Sequence, residues 1–239
     1  MPLLAIETST RQLGLAVVEG GQLLASYELL ADYPHAVELP GATQRVLREA
    51  HTTLAQLTGI GVDLGPGSFT GLRIGLAFVK ALAFQARTPV VGLLSLDVLA
   101  AGVPWTPKPV WVLLDAKQKN VYAAGYRLEG ARPLRQGECL LGPVDDILRQ
   151  VREPSVFLGD GAALYRDRIL AHQPQAEFAP AEFWYPRAAT LARLGIARLQ
   201  AGERDDPRTL VPRYLYPMDC SVRGPNRPTA VLPPVPQAA

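Results

Sequence analysis

Four short stretches of this 239-residue chain hold residue types that could do chemistry. The most distinctive is Gly65-Pro66-Gly67-Ser68-Phe69-Thr70-Gly71-Leu72-Arg73-Ile74-Gly75. A glycine-rich turn leading from a strand into a helix can present backbone N–H groups to a phosphate. This one fits neither standard template, because the dinucleotide pattern would need glycine where Thr70 stands and the Walker pattern would need Gly-Lys there. A packing turn that lets a helix approach its neighbours closely explains the glycines better, with Gly71 and Gly75 on one helical face. The second stretch, Glu7-Thr8-Ser9-Thr10, ends a strand with an acid and small hydroxyls. Those residues could hold a metal-bound phosphate, or satisfy a tight turn by local side-chain bonds. Asp115-Ala116-Lys117 poses the same question further along. Asp160, between Gly159 and Gly161, could approach a ligand or simply form a left-handed turn.

Acid–base and metal constellations are sparse. The three histidines are His35, His51 and His172, and the residues four beyond them are Leu39, Ala55 and Ala176, so no helical His pair exists to chelate a metal. Cys139 and Cys220 form no CxxC, which argues against a zinc site or a disulfide framework and fits a reducing cytoplasm. No GxSxG elbow is present. Neither a metal nor a cofactor is expected.

The elements that must position these residues can be read from periodicity. Leu3–Thr8, Leu13–Val18 and Gln22–Glu28 are apolar segments separated by turn chemistry, which predicts an antiparallel meander. A helix over about 34–50 comes next, with Pro34 near its start, where proline is tolerated. After a strand at 59–62 and the glycine stretch comes a helix over about 71–85, apolar on nearly every side, which should be buried on most faces. A strand at 90–93 and a helix at 95–101 complete a first set. The order then restarts: strands at 109–115, 121–127 and 136–141, a helix at 143–151, a strand at 155–158, a helix at 162–170 and a strand at 176–178. Such repetition predicts two like lobes of mixed sheets flanked by helices, an α/β fold. The lobes are expected over 1–103 and 104–217, with a last helix at 187–200 able to fold back on the first. Residues 218–239 are proline-rich and read as a loose tail.

Composition narrows the classes further. With 48% hydrophobic and 19% charged residues the chain is not an intrinsically disordered scaffold. A formal charge of only +2 will not pull it onto a phosphate backbone or an anionic membrane. No charge-free run approaches the roughly 18 residues of a membrane span, and no signal peptide is read at the N-terminus.

Taken together, Ala5-Ile6-Glu7-Thr8-Ser9-Thr10, the Gly65–Gly75 stretch, Asp115-Ala116-Lys117 with Val121-Tyr122, and Gly159-Asp160-Gly161-Ala162 resemble the threonylcarbamoyladenosine biosynthesis family TsaB, also called YeaZ. The resemblance implies a duplicated ribonuclease-H-like fold of the type found in actin, Hsp70 and sugar kinases. It implies a non-catalytic subunit that pairs with the larger homologue TsaD and with the ATPase TsaE. In that assembly, threonylcarbamoyl passes from its adenylate to the adenosine beside the tRNA anticodon, so tRNA is met only through the complex. It also implies that the helices at 34–50 and 71–85 form the interface, where Leu39, Val46, Leu72, Leu76 and Val79 are the expected contacts, and that a homodimer can form through the same surface. Glu7, Asp115 and Asp160 would then be vestigial nucleotide-site positions. Two departures stand out: Glu7 replaces the family's usual Asp, and Ala36 replaces a Ser after His35. The rival is an ATP-dependent phosphotransferase or ATPase of the actin-like fold built on Glu7, Asp115 and the glycine turns around a metal nucleotide. A metallopeptidase is a second, weakened by the missing histidine ligand pair.

Overall fold

The computed structural model describes residues 2–30, 35–104, 106–130 and 132–216. Pro34 and the expected tail over 218–239 lie outside the described residues. The chain divides into two compact units, Met1–Val98 with Pro186–Arg213, and Leu99–Tyr185 with residues 214–216.

In the first unit, β1 (Pro2–Glu7), β2 (Gln12–Glu19) and β3 (Gln22–Leu30) form the antiparallel meander read from their apolar segments. The chain then crosses through α1 (His35–Glu49) to β4 (Gly59–Asp63), and through α2 (Phe69–Ala86) to β5 (Val90–Leu93). β4 pairs with β1 and β5 with β4 in parallel, a geometry that requires such crossovers. The sheet order is β3-β2-β1-β4-β5. Side chains alternate along β1: Leu4 and Ile6 join a core with Leu39, Val46, Leu76 and Val79 of the two helices, while Leu3 and Ala5 belong to a core on the opposite face. α3 (Ser95–Gly102) comes after β5.

The second unit holds β6 (Val110–Asp115), β7 (Asn120–Glu129), β8 (Arg132–Pro143), α4 (Val144–Leu148), β9 (Val156–Leu158), α5 (Asp160–Leu164), α6 (Arg166–His172) and β10 (Glu177–Phe178). Its order is β10-β9-β6-β7-β8, with β6, β7 and β8 antiparallel and β9 and β10 added in parallel. Each unit thus repeats one ribonuclease-H-like topology, around a core that here includes Leu113, Val121, Ile147, Phe157 and Ile169. The helix predicted over 162–170 is in fact two. The chain breaks at Tyr165, whose backbone (φ −107°, ψ 21°) leaves the helical region without any Gly or Pro to mark it in the sequence.

Beyond β10, α7 (Ala188–Gln200) belongs to the first unit. The sheet face carrying Leu3, Ala5, Ala16, Val18 and Val91 needs an apolar cover, and α7 supplies it with Ala188, Leu191 and Ala192. The segment after α7 runs along the β5 edge. Asp205 N–H donates to Val90 O at 2.9 Å, its Oδ2 accepts from Gly92 N at 2.7 Å, and Arg198 Nη1 donates to the same Oδ2 at 3.0 Å and to Gly92 O at 2.6 Å. An open strand edge is thereby covered.

Candidate functional site

The glycine stretch lies directly on the end of β1. Gly65 takes a left-handed φ of 96°, and Ser68 N–H then donates to Ser9 O at 2.6 Å. Ser68 Oγ accepts from Gly71 N at 3.2 Å, which caps α2 and starts it two residues earlier than its apolar periodicity suggested. A Cβ at Gly67 would stand 2.2 Å from Ser9 O, one at Gly71 2.1 Å from Thr8 O, and one at Gly75 2.1 Å from Thr8 Oγ1. No side chain fits at any of the three. The glycines therefore serve the close approach of α2 to β1, as their helical spacing indicated. The N–H groups of Gly65, Ser68, Gly71 and Leu72 all have acceptors within the protein, so they are not turned toward a phosphate. At the start of α2, Arg73 stacks its guanidinium over the half-exposed Phe69 ring, 3.7 Å from its centroid.

Glu7 and Asp63 are both fully buried beneath this turn. Glu7 Oε1 accepts from Ser9 N at 2.6 Å and from Ser9 Oγ at 2.5 Å. Asp63 Oδ1 accepts from Gly65 N at 2.5 Å and from Ser95 Oγ at 2.7 Å. The two carboxyls are close enough to act on each other, and one oxygen of each, Glu7 Oε2 and Asp63 Oδ2, is buried without a hydrogen-bond partner. Burial pushes the Glu7 carboxyl well above the usual range, reinforced by the negative Asp63 beside it. Burial raises Asp63 as well, against the hydrogen bonds it accepts. Sequence reading singled out Glu7 but passed over Asp63 and Ser95. The available signal was an acid closing the otherwise uncharged strand Gly59–Asp63.

Asp115 and Asp160 meet in the second unit, where Asp160 Oδ1 accepts from Asp115 N at 2.9 Å. Asp115 in turn accepts from Lys117 N at 2.9 Å and pairs with Lys117 Nζ at 2.6 Å. The Asp160 carboxyl is raised chiefly by burial. Gly159 has a left-handed φ of 101°, and a Cβ there would lie 2.1 Å from Leu113 O, which makes this a tight packing turn. Among the described residues no three His, Cys, Asp or Glu side chains cluster closely enough to hold a metal ion.

The five helix residues expected at a partner interface are placed elsewhere. Leu39, Val46, Leu72, Leu76 and Val79 are between 0% and 5% exposed, inside the first unit's own core. Periodicity identifies a helix's apolar stripe, and here that stripe meets the sheet. Nor is α2 buried on most faces, since its buried residues Gly71, Leu72, Gly75, Leu76, Val79 and Ala83 form one side. The other side exposes Phe69 at 52% and Phe84 at 89%, and α1 exposes Val37 at 77%. By length and composition α2 could cross a membrane, yet its packed side makes it a core helix with an unusually apolar outer face.

Comparison with known proteins agrees with this architecture. Residues 29–219 match the family model described as TsaD: tRNA N6-adenosine threonylcarbamoyltransferase. The tRNA threonylcarbamoyladenosine biosynthesis protein TsaB of Bacillus subtilis is 29% identical over 219 residues, covering 90% of this chain and 94% of that one. Its Escherichia coli counterpart is 30% identical over 174 residues, covering 70% and 74%. The solved structure of YeaZ from Pseudomonas aeruginosa superposes with a TM-score of 0.75 at 27% identity, over 90% of this chain and 99% of that one. A duplicated fold, a glycine stretch built for helix packing and relatives that span both units together place the chain in the TsaB (YeaZ) family of tRNA threonylcarbamoyladenosine biosynthesis proteins.

Proposed function

We propose that the chain is a non-catalytic cytoplasmic subunit that docks on a TsaD-like protein through the outer face of α1 and α2. In the complex, completed by a TsaE-like ATPase, it supports transfer of threonylcarbamoyl from threonylcarbamoyl-adenylate to the adenosine beside the tRNA anticodon. The observation that carries this reading is the exposure of Val37 and Phe84 on two helices whose opposite sides form the core. Large apolar side chains left exposed on outward helix faces favour a protein partner. Alone, the same face would pair with a second copy of the chain. The phosphotransferase alternative finds less support, because Glu7 is sealed from solvent and the glycine-turn N–H groups already have partners. Calorimetric titration of the chain into its matched TsaD tests the reading: saturable binding that Phe84→Glu weakens upholds it. Heat on titration with Mg-ATP alone, with none on titration into TsaD, would favour the phosphotransferase.

A further inference from the structure

We propose that Glu7 and Asp63 share a single proton across a buried acid–carboxylate hydrogen bond, and that this bond is a proton-dependent clamp fixing the glycine turn to the end of β1. The juxtaposition results from register. β1 and β4 are parallel neighbours with Ile6 opposite Val62, so the next residues, Glu7 and Asp63, stand side by side on one sheet face. Each carboxyl uses one oxygen to hold its own turn: Glu7 Oε1 takes Ser9 N–H and O–H, and Asp63 Oδ1 takes Gly65 N–H and Ser95 O–H. The other two oxygens, Glu7 Oε2 and Asp63 Oδ2, are buried, and no protein donor reaches them. Two carboxylates facing each other there would repel in a medium that screens poorly. One proton converts the repulsion into a hydrogen bond and satisfies both oxygens.

Among the described residues, no Lys, Arg or His acts on either carboxyl. Along the same row of the sheet, the neighbours are Gly14 on β2 and Leu93 on β5. Glu28 of β3 lies beyond Gly14, with Arg187 acting on it, and α3 contributes the Ser95 hydroxyl. Burial and the negative neighbour favour the proton on Glu7. The length of Glu suits this role, since it lets Oε1 bind the Ser9 turn while Oε2 faces Asp63. Because α2 rests on Thr8 and Ser9 through Gly67, Gly71 and Gly75, loss of the proton loosens the first turns of α2 together with the glycine turn. The clamp does not depend on the proposed partner.

The test is a carbon-13 NMR titration of the side-chain carboxyls of the full chain, with Glu7→Gln and Asp63→Asn to assign the two signals. The expected result is one carboxyl that keeps its acid form at neutral pH, where exposed carboxyls are ionised, and that vanishes in Glu7→Gln. Denaturant unfolding across pH gives a second readout. Since the folded state retains a proton that the unfolded chain releases, the wild-type unfolding constant should rise with pH above the ordinary carboxylate range, by up to about tenfold per unit. Glu7→Gln, whose amide N–H replaces the shared proton, should fold and flatten that rise by one proton's worth. Ionisation of both carboxyls in the acid range alongside the exposed ones, or an unchanged pH slope in Glu7→Gln, overturns the clamp. If Glu7→Gln fails to fold, the wild-type titration assigned through Asp63→Asn decides.

Discussion

Thr8 and Ser9 offer α2 only backbone and small side chains to lie on, and glycine stands at 67 in the preceding turn and at 71 and 75 in the helix. A Gly71→Ala substitution adds one methyl 2.1 Å from Thr8 O. A backbone oxygen at the end of β1 cannot swing away as a flexible side chain can, so the change should cost about 3 kcal/mol. Urea unfolding would read this as a lowered midpoint with an unchanged slope. Gly130→Ala, at a turn where nothing lies within 4 Å but φ is +61°, should cost only about 1 kcal/mol, the strain of a left-handed alanine. The contrast separates close approach from backbone strain at single residues. It also tests why the motif reads as a phosphate loop without being built as one: its N–H groups have protein acceptors, and its glycines face a strand.

Across elements, α2 has one apolar side packed in the core and large apolar groups left exposed away from it. Leu76 is 5% exposed and packs in the core, so Leu76→Glu buries an unpaired charge and should destabilise the fold by more than about 4 kcal/mol. Phe84 is 89% exposed. Phe84→Glu should therefore leave stability within about 0.5 kcal/mol while weakening partner binding at least about tenfold, and thermal unfolding with calorimetry on both variants checks the division. A third element-level expectation concerns the β5 edge. Arg198→Ala removes the donor to Asp205 Oδ2, Glu203 and Gly92 O, and should cost about 2 kcal/mol because charged, half-buried groups lose their partner, with faster amide exchange along Val90–Leu93. These cases mark where sequence reading succeeds and where it stops. The meander, the crossover helices and their repetition were legible because alternation and helical spacing are local signals. Which side of α2 meets the sheet was not, since both sides are apolar and the partner surface lies far away in sequence. The Glu7–Asp63 contact was equally hidden, because it depends on the register of β1 against β4. The break at Tyr165 lacks any local breaker and could not be read at all.

As a whole molecule, the chain repeats one ribonuclease-H-like topology and belongs to a family named for tRNA threonylcarbamoyladenosine biosynthesis. Nothing in its described side chains assembles a three-ligand metal cluster, while the outer faces of α1 and α2 present large apolar groups. On the proposed reading the chain acts by what it binds, so its effect should track complex formation rather than any substitution at Asp115 or Asp160. Asp115→Asn should leave complex activity within about twofold, a change of less than about 0.5 kcal/mol, whereas Phe84→Glu should lower it in step with lost binding. The most direct measurement is threonylcarbamoyladenosine formation on unmodified tRNA by matched TsaD, TsaE and the adenylate-forming enzyme, with and without this chain. The account predicts product only when the chain is present, and little with Phe84→Glu. Equal product in its absence would contradict the account.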